Sequence, residues 1–111
     1  SKAGAARTVA MFDGWNPAGM PAAMVADIVA GMNAQREAAG RAPLSVYHRN
    51  FISFPPKPGR ANPGIDGVKA DIEVARSRGF DEVIVECNFW EEMTTPQAWA
   101  EVPDRLSVLF R

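Results

Sequence analysis

Residues 65–86 have the sequence IDGVKADIEVARSRGFDEVIVE, a helical pattern followed by a short strand pattern. The helix is predicted from Ile65 to Arg78, and its apolar side chains recur at three- and four-residue spacing, at Val68, Ile72 and Ala75. Gly79 ends it, since glycine accepts the left-handed conformation that often follows a helix. The β-branched run Val83-Ile84-Val85 is typical of a strand buried on both faces, as in a parallel sheet.

Two further apolar runs, Val9–Phe12 and Leu44–Tyr47, precede this unit. The three runs start about 35 to 39 residues apart, which is the length of a βα unit. Helices are predicted at residues 2–8, from Pro21 to Gly40, and from Thr95, which is placed to act as an N-cap. The order α-β-α-β-α-β-α predicts an α/β fold with about three parallel βα units.

The apolar stripes also predict which helical side chains are buried. On the helix that starts at Pro21 they are Met24, Val25, Ile28, Val29 and Met32. On the last helix they are Trp99, Val102, Leu106 and Leu109. Pro103 should break or kink that last helix, because its ring and missing N–H do not fit a helix interior.

The composition places limits on the class of protein. Apolar residues make up 47% and charged residues 23% of the 111 residues, which predicts one globular α/β domain over residues 1–111. The formal net charge of −1 argues against nucleic-acid and membrane partners. A single cysteine and a single histidine argue against a disulfide or a metal site. No membrane span or signal peptide is evident, so we expect a cytoplasmic protein.

Three parallel strands would leave two apolar edges, which natural proteins rarely tolerate. Either copies of the chain complete one another as a homo-oligomer, or the chain is part of a larger (β/α)8 barrel, which needs about 250 residues. A proline-rich loop, residues 51–63, is long for a βα unit and is predicted to be functional or mobile.

Two candidate binding elements lie near the amino terminus. Ser1 and Lys2 open a predicted helix, whose free N–H groups could bind a phosphate; the alternative is an ordinary capped helix. Trp15 lies in a turn after the first predicted strand, where it could form the wall of a site for a flat ligand or pack as a buried aromatic.

The ends of the second and third strands carry the other candidates. Alternation places Arg49 on one sheet face and His48 on the other. Arg49 could bind an anionic ligand or form an ion pair, and His48 could shuttle protons or be structural. Glu86 and Asn88 share a face, and Glu86 could be a general base or pair with Arg49. Cys87 lacks an activating base and is expected to be an inert core thiol.

Four blocks resemble the C-terminal part of the luciferase-like monooxygenase superfamily, which includes flavin- and F₄₂₀-dependent oxidoreductases. The most specific part of the first block is Asp13-Gly14-Trp15-Asn16-Pro17. The resemblance extends over nearly the whole chain in one order, and its blocks are Ser1–Gly19, Glu37–Pro43, Gly64–Ile72 and Gly79–Glu86. At Gly64 the chain departs from the family, whose members often carry a Ser or Thr N-cap there.

The resemblance implies that the chain is the C-terminal third of a TIM (β/α)8 barrel. Ser1 matches the serine of a Gly-Gly-x-Ser loop that family members place against the phosphate of FMN or the deazaflavin coenzyme F₄₂₀. The implied reaction is hydride transfer between the cofactor and an organic substrate, or flavin-dependent oxygenation. Ser1 and Lys2 are then expected to bind the cofactor, and Trp15, Arg49 and Asn88 to line the substrate site.

The catalytic residues of the family come mostly from earlier strands, so no catalytic residue is assigned in this chain. The start at Ser1, inside a family motif, leads us to expect a fragment of a larger enzyme that is inactive alone. The alternative is a stand-alone α/β module that oligomerises, binds or interacts without catalysis, and has no affinity for flavin.

Overall fold

The computed structural model describes residues 1–51, 64–88 and 93–111. Helices and strands alternate along these residues, as the sequence predicts. The elements are α1 (Lys2–Met11), β1 (Gly14–Trp15), α2 (Ala22–Ala38), β2 (Ser45–Phe51), α3 (Ile65–Ser77), β3 (Glu82–Glu86), α4 (Pro96–Ala100), α5 (Val102–Leu106) and a 3₁₀ helix (Ser107–Phe110). Of the proline-rich loop predicted at 51–63, Phe51 ends β2, and residues 52–63 lie outside the described residues.

The first predicted strand, Val9–Phe12, is wrong. Helix α1 continues to Met11, and β1 is only the two residues that follow the Asp13 turn. The alanine-rich segment before Val9 already forms a helix, and nucleation is the unfavourable step of helix formation. Adding Val9, Ala10 and Met11 costs only about tenths of a kcal/mol per residue relative to alanine, so the helix continues through them. Arg36 and Arg41 also donate hydrogen bonds to carbonyl oxygens in the last residues of this segment, those of Val9, Ala10 and Phe12.

The described strands form one parallel sheet with the order β1-β2-β3. Strand β2 is longer than the predicted run and includes His48, Arg49 and Asn50. The extension is stabilised on both sides, because residues 47–51 pair with residues 82–86 of β3. On the other side, the backbone N–H of Arg49 donates to the carbonyl of Pro17 at 2.9 Å, and its carbonyl accepts from Gly19 at 3.1 Å.

Helices α2 and α3 pack on the same face of this sheet, here named the first face. Val46, on this face of β2, packs with Val25 and Val29 of α2. Val83 and Val85, on the same face of β3, pack with Val68 and Ile72 of α3. Because side chains alternate along a strand, the opposite or second face carries Tyr47, Arg49, Ile84 and Glu86.

Strand β3 was predicted to be buried on both faces, but Val83, Ile84 and Val85 are only half-buried. Both hydrophobic clusters of the described residues use first-face strand side chains such as Val85, whereas Ile84 on the second face belongs to neither. Strand β3 lies at the edge of the described sheet and packs on one side only, so it keeps partial solvent exposure despite its β-branched sequence.

The helix boundaries largely agree with the sequence. Helix α2 begins after Pro21, and both α2 and α3 are followed by a glycine with positive φ, Gly40 and Gly79. The hydroxyl of Thr95 caps α4 by accepting from the N–H of Ala98. The last helix breaks between α4 and α5, two residues before Pro103, as predicted. No helix in the described ranges is long and apolar enough to cross a membrane.

Burial within the helices follows the predictions only in part. All three predicted side chains of α3 are buried, as are Leu106 and Leu109 near the carboxyl terminus. On α2, Val25, Val29 and Met32 are buried, whereas Met24 and Ile28 are exposed. Trp99 is also exposed, contrary to the prediction.

Candidate functional site

The amino terminus of α1 is built as a capped helix end. The hydroxyl oxygen of Ser1 accepts a hydrogen bond from the N–H of Gly4 at 3.2 Å, which makes Ser1 the N-cap. The hydroxyl can still donate its own hydrogen to an anion. The first turn contains no acidic residue, and the exposed Lys2 adds a positive charge to the positive end of the helix dipole. This end of α1 is therefore suited to an anionic group.

A cleft of about 440 Å³ separates α1 from α2. The residues on its α1 side are small or polar, and those on the other side are apolar. The lining residues are Ser1, Lys2, Gly4, Ala5, Thr8, Trp15, Met20, Ile28 and Met32. Trp15 is half-buried and packs against the first-face cluster of α2 and β2, so it also contributes to the core. The structure thus brings Trp15 together with Ser1 and Lys2.

Arg49 and Asn88 meet at a different place, on the second face of the sheet, around Glu86. The Nε atom of Arg49 donates to Oε2 of Glu86 at 2.6 Å. The Nδ2 atom of Asn88 donates to Oε1 of the same carboxylate at 2.5 Å. The pairing of Arg49 with Glu86, one of the two alternatives for Glu86, is present. Trp15 is not part of this cluster.

The ion pair changes what Glu86 can do. The hydrogen bond from Arg49 lowers the pKa of the Glu86 carboxyl; it outweighs the opposing effect of burial, and the hydrogen bond from Asn88 lowers the pKa further. A carboxylate with a lowered pKa is a weak general base. The geometry therefore favours an anchoring role for Glu86 over proton abstraction.

His48 is fully buried on the first face. Its Nε2 atom lies 2.8 Å from the carbonyl oxygen of Met20 and 3.8 Å from Oδ2 of Asp71. Its Nδ1 atom lies 3.5 Å from Nδ2 of Asn50, and its ring meets that of Phe80 edge-on at 5.7 Å. These contacts agree with the structural alternative for His48 rather than with a solvent-connected proton shuttle.

Asp71 and Arg36 are polar residues that the sequence analysis did not identify as important. The Oδ1 atom of Asp71 accepts from the N–H of Ala22 at 2.6 Å and so caps α2 from another helix. The side chain of Arg36 is buried and donates to three carbonyl groups. No signal in the sequence identifies Asp71, because it precedes the buried Ile72 by one position just as the exposed Ile28 precedes the buried Val29. The burial of Arg36 depends on where α1 packs.

Cys87 lies in the hydrophobic cluster beneath α3 and is buried. Burial raises the pKa of the Cys87 thiol, and the negative charge of Glu86 raises it further. A raised pKa keeps the thiol protonated and unreactive at neutral pH. This environment agrees with the expected inert core thiol.

No protein-family model, curated protein or solved structure matches this chain.

Proposed function

We propose that the chain forms the C-terminal βα portion of a luciferase-like (β/α)8 barrel, in a flavin- or F₄₂₀-dependent oxidoreductase. One observation carries the proposal: the helices pack on one face of a parallel sheet, and the second face presents the Arg49–Glu86 pair near the carboxyl ends of its strands. In such barrels the helices lie outside, and the active site lies at the carboxyl ends of the strands.

The amino terminus of α1 would hold the cofactor phosphate. Ser1 offers a hydroxyl, the first turn offers backbone N–H groups, and Lys2 offers a charge, which together are the groups that bind phosphate at a helix end. The adjoining cleft, with Trp15 in its apolar wall, lies on the helix side of the sheet, so it would receive the part of FMN or F₄₂₀ next to the phosphate and not the reacting ring. When bound, the cofactor would supply hydride acceptance or donation.

The described residues would contribute binding and orientation to that reaction. The proposed phosphate site and the Arg49–Glu86–Asn88 cluster are separate. The cofactor would therefore be anchored through its phosphate at α1, and its ring would extend past the carboxyl ends of the strands to the substrate on the second face. The reaction itself, hydride transfer with an organic substrate, belongs to the complete barrel, to which the remaining strands contribute.

The first test is to purify the native protein that carries this sequence and to measure its mass and its visible spectrum. We expect a species of about 30 to 40 kDa, the size of a barrel enzyme with insertions. On denaturation it should release a flavin or a deazaflavin. A native 12.0 kDa species without a chromophore would contradict the proposal and would support the oligomerising binding module.

Variants of that native protein test the phosphate site. Ser1→Ala and Lys2→Ala should each weaken cofactor binding by about tenfold, because each removes a hydrogen bond to a charged group. Arg7→Ala is the matched control for the charge, since Arg7 is exposed on the same helix and does not line the cleft. Equal affinities for the wild type and both test variants, measured by fluorescence titration, would rule out this phosphate site.

A further inference from the structure

The guanidinium group of Arg49 is held in a defined orientation on the second face. Its Nε atom donates to Glu86 at 2.6 Å, and its central carbon lies 5.8 Å from the centre of the Phe51 ring. The side chain is still 40% exposed. Among the described residues, none accepts a hydrogen bond from either terminal nitrogen, Nη1 or Nη2.

Glu86 does not use its whole carboxylate on Arg49. A carboxylate that pairs with an arginine alone often accepts two parallel N–H bonds from it. Here Oε2 accepts from Arg49, while Oε1 accepts from Asn88 at 2.5 Å. Arg49 therefore uses its Nε atom for the pair, which leaves the donors of its two terminal nitrogens without an acceptor among the described residues.

The chemistry of these terminal nitrogens selects a ligand class. Their N–H groups lie in one plane and match the two oxygens of a carboxylate. The charge of the nearby Glu86 offsets that of Arg49, which favours a singly charged carboxylate over a doubly charged phosphate. Tyr47 and Ile84 lie on the same face, and Ile84 is directly opposite Arg49 on β3. These neighbours suit an apolar or aromatic body.

We infer that Arg49 binds the carboxylate of an organic acid with an apolar or aromatic body through its two terminal nitrogens. This inference rests on the proposed function only in taking that acid to be the substrate. It assigns the substrate class and a specificity-determining residue, and the binding of the acid is measured separately from that of the cofactor.

The experiment is a titration of the ¹⁵N-labelled protein with benzoate at constant ionic strength, with sodium chloride as the balancing salt. We expect a saturable shift of the Arg49 Nε–H signal. Arg49→Ala should weaken benzoate binding by about tenfold or more, since hydrogen bonds between charged groups are the strong ones. In that variant and in Arg49→Lys, saturation is followed through the backbone signal of Ile84.

The controls separate this inference from the alternatives. Arg76→Ala removes an exposed arginine that also pairs with a glutamate, Glu73, and should bind benzoate like the wild type. Arg49→Lys keeps a positive charge beside Glu86 but lacks the planar guanidinium group, so this variant should bind benzoate less tightly than the wild type. It therefore tests the site even if Arg49→Ala does not fold. Equal affinity for benzoate in Arg49→Lys and the wild type, or a response that does not saturate, would overturn the inference.

The outcome for the cofactor is independent of this titration. Saturable benzoate binding at Arg49 in a native protein that carries no flavin or deazaflavin would overturn the proposed function and leave the carboxylate site intact. A protein with the cofactor, but with no benzoate response at Arg49, would overturn the carboxylate site alone.

Discussion

Two arginines, each in the last turn of its helix, have opposite environments. Arg36, in the last turn of α2, is 1% exposed and donates to the carbonyl groups of Ala42, Val9 and Phe12 at 2.6, 3.1 and 2.7 Å. Arg76, in the last turn of α3, has a side chain that is 64% exposed and pairs with Glu73 at 3.0 Å. Arg36 thus joins α2 to the end of α1, whereas Arg76 is a surface charge.

This difference predicts unequal costs for the same substitution. Arg36→Ala should lower the free energy of unfolding by about 2–4 kcal/mol, because it removes three hydrogen bonds from a charged donor and leaves a cavity. Arg76→Ala should change it by no more than about 0.5 kcal/mol, as an exposed ion pair contributes little. Urea unfolding of the two variants beside the wild type measures both values.

Similar small losses in both variants would contradict the structural role of Arg36. They would show that water replaces the guanidinium group at the three carbonyl oxygens without a net cost.

At the residue scale, the sequence predicted contacts that depend only on alternation along a strand. Arg49 and Glu86 were expected to be possible partners because both end parallel strands, and the ion pair is present at 2.6 Å. The position of Trp15 could not be derived in the same way. It depends on the register of a two-residue strand, Gly14–Trp15, whose start the sequence analysis placed too early.

At the scale of elements, the sequence predicted α3 better than α2 because the apolar positions of α3 form a single stripe. Helix α2 is buried along a face with alternating three- and four-residue spacing, at Ala22, Val25, Val29, Met32 and Arg36. Met24 and Ile28 lie to one side of this face, each about 100° around the helix from the buried residue that follows it, and both are exposed. An alanine-rich helix with scattered apolar residues does not show which of its faces will be buried.

Replacement by alanine should have opposite effects on stability at Gly31, inside α2, and at Gly40, just after it. A Cβ atom at Gly31 or Gly40 would meet no atom within 4 Å, so packing contributes to neither change. Gly31 lies inside the helix, where Gly31→Ala should stabilise the protein by about 0.5–1 kcal/mol. Gly40 has a φ of +69°, so Gly40→Ala should destabilise the protein by about 1–2 kcal/mol through backbone strain.

Thermal unfolding of the two variants gives the sign of each change. A destabilised Gly31→Ala variant would show that the middle of α2 is less regular than described. A neutral Gly40→Ala variant would show that the left-handed residue after α2 is not required.

At the scale of the whole molecule, the described residues form a sheet covered by helices on one face. A charged pair on the second face, near the carboxyl ends of parallel strands, fits the interior of a barrel better than the core of a separate three-stranded domain. A barrel also removes the edges that a three-stranded sheet leaves. The second face is therefore where the barrel and the oligomerising module predict different behaviour.

Tyr47 is the only tyrosine of the chain, it lies on the second face, and it is 37% exposed. If the chain belongs to a barrel, other strands cover this face in the native protein. Nitration of Tyr47, mapped by mass spectrometry, should then be slower in the native protein than in the 111-residue chain, and independent of protein concentration. If copies of the chain cover the face instead, protection should appear in the 111-residue chain itself and increase with its concentration. Equal and concentration-independent nitration in both would contradict the barrel, because the second face would then be solvent-exposed in the native protein.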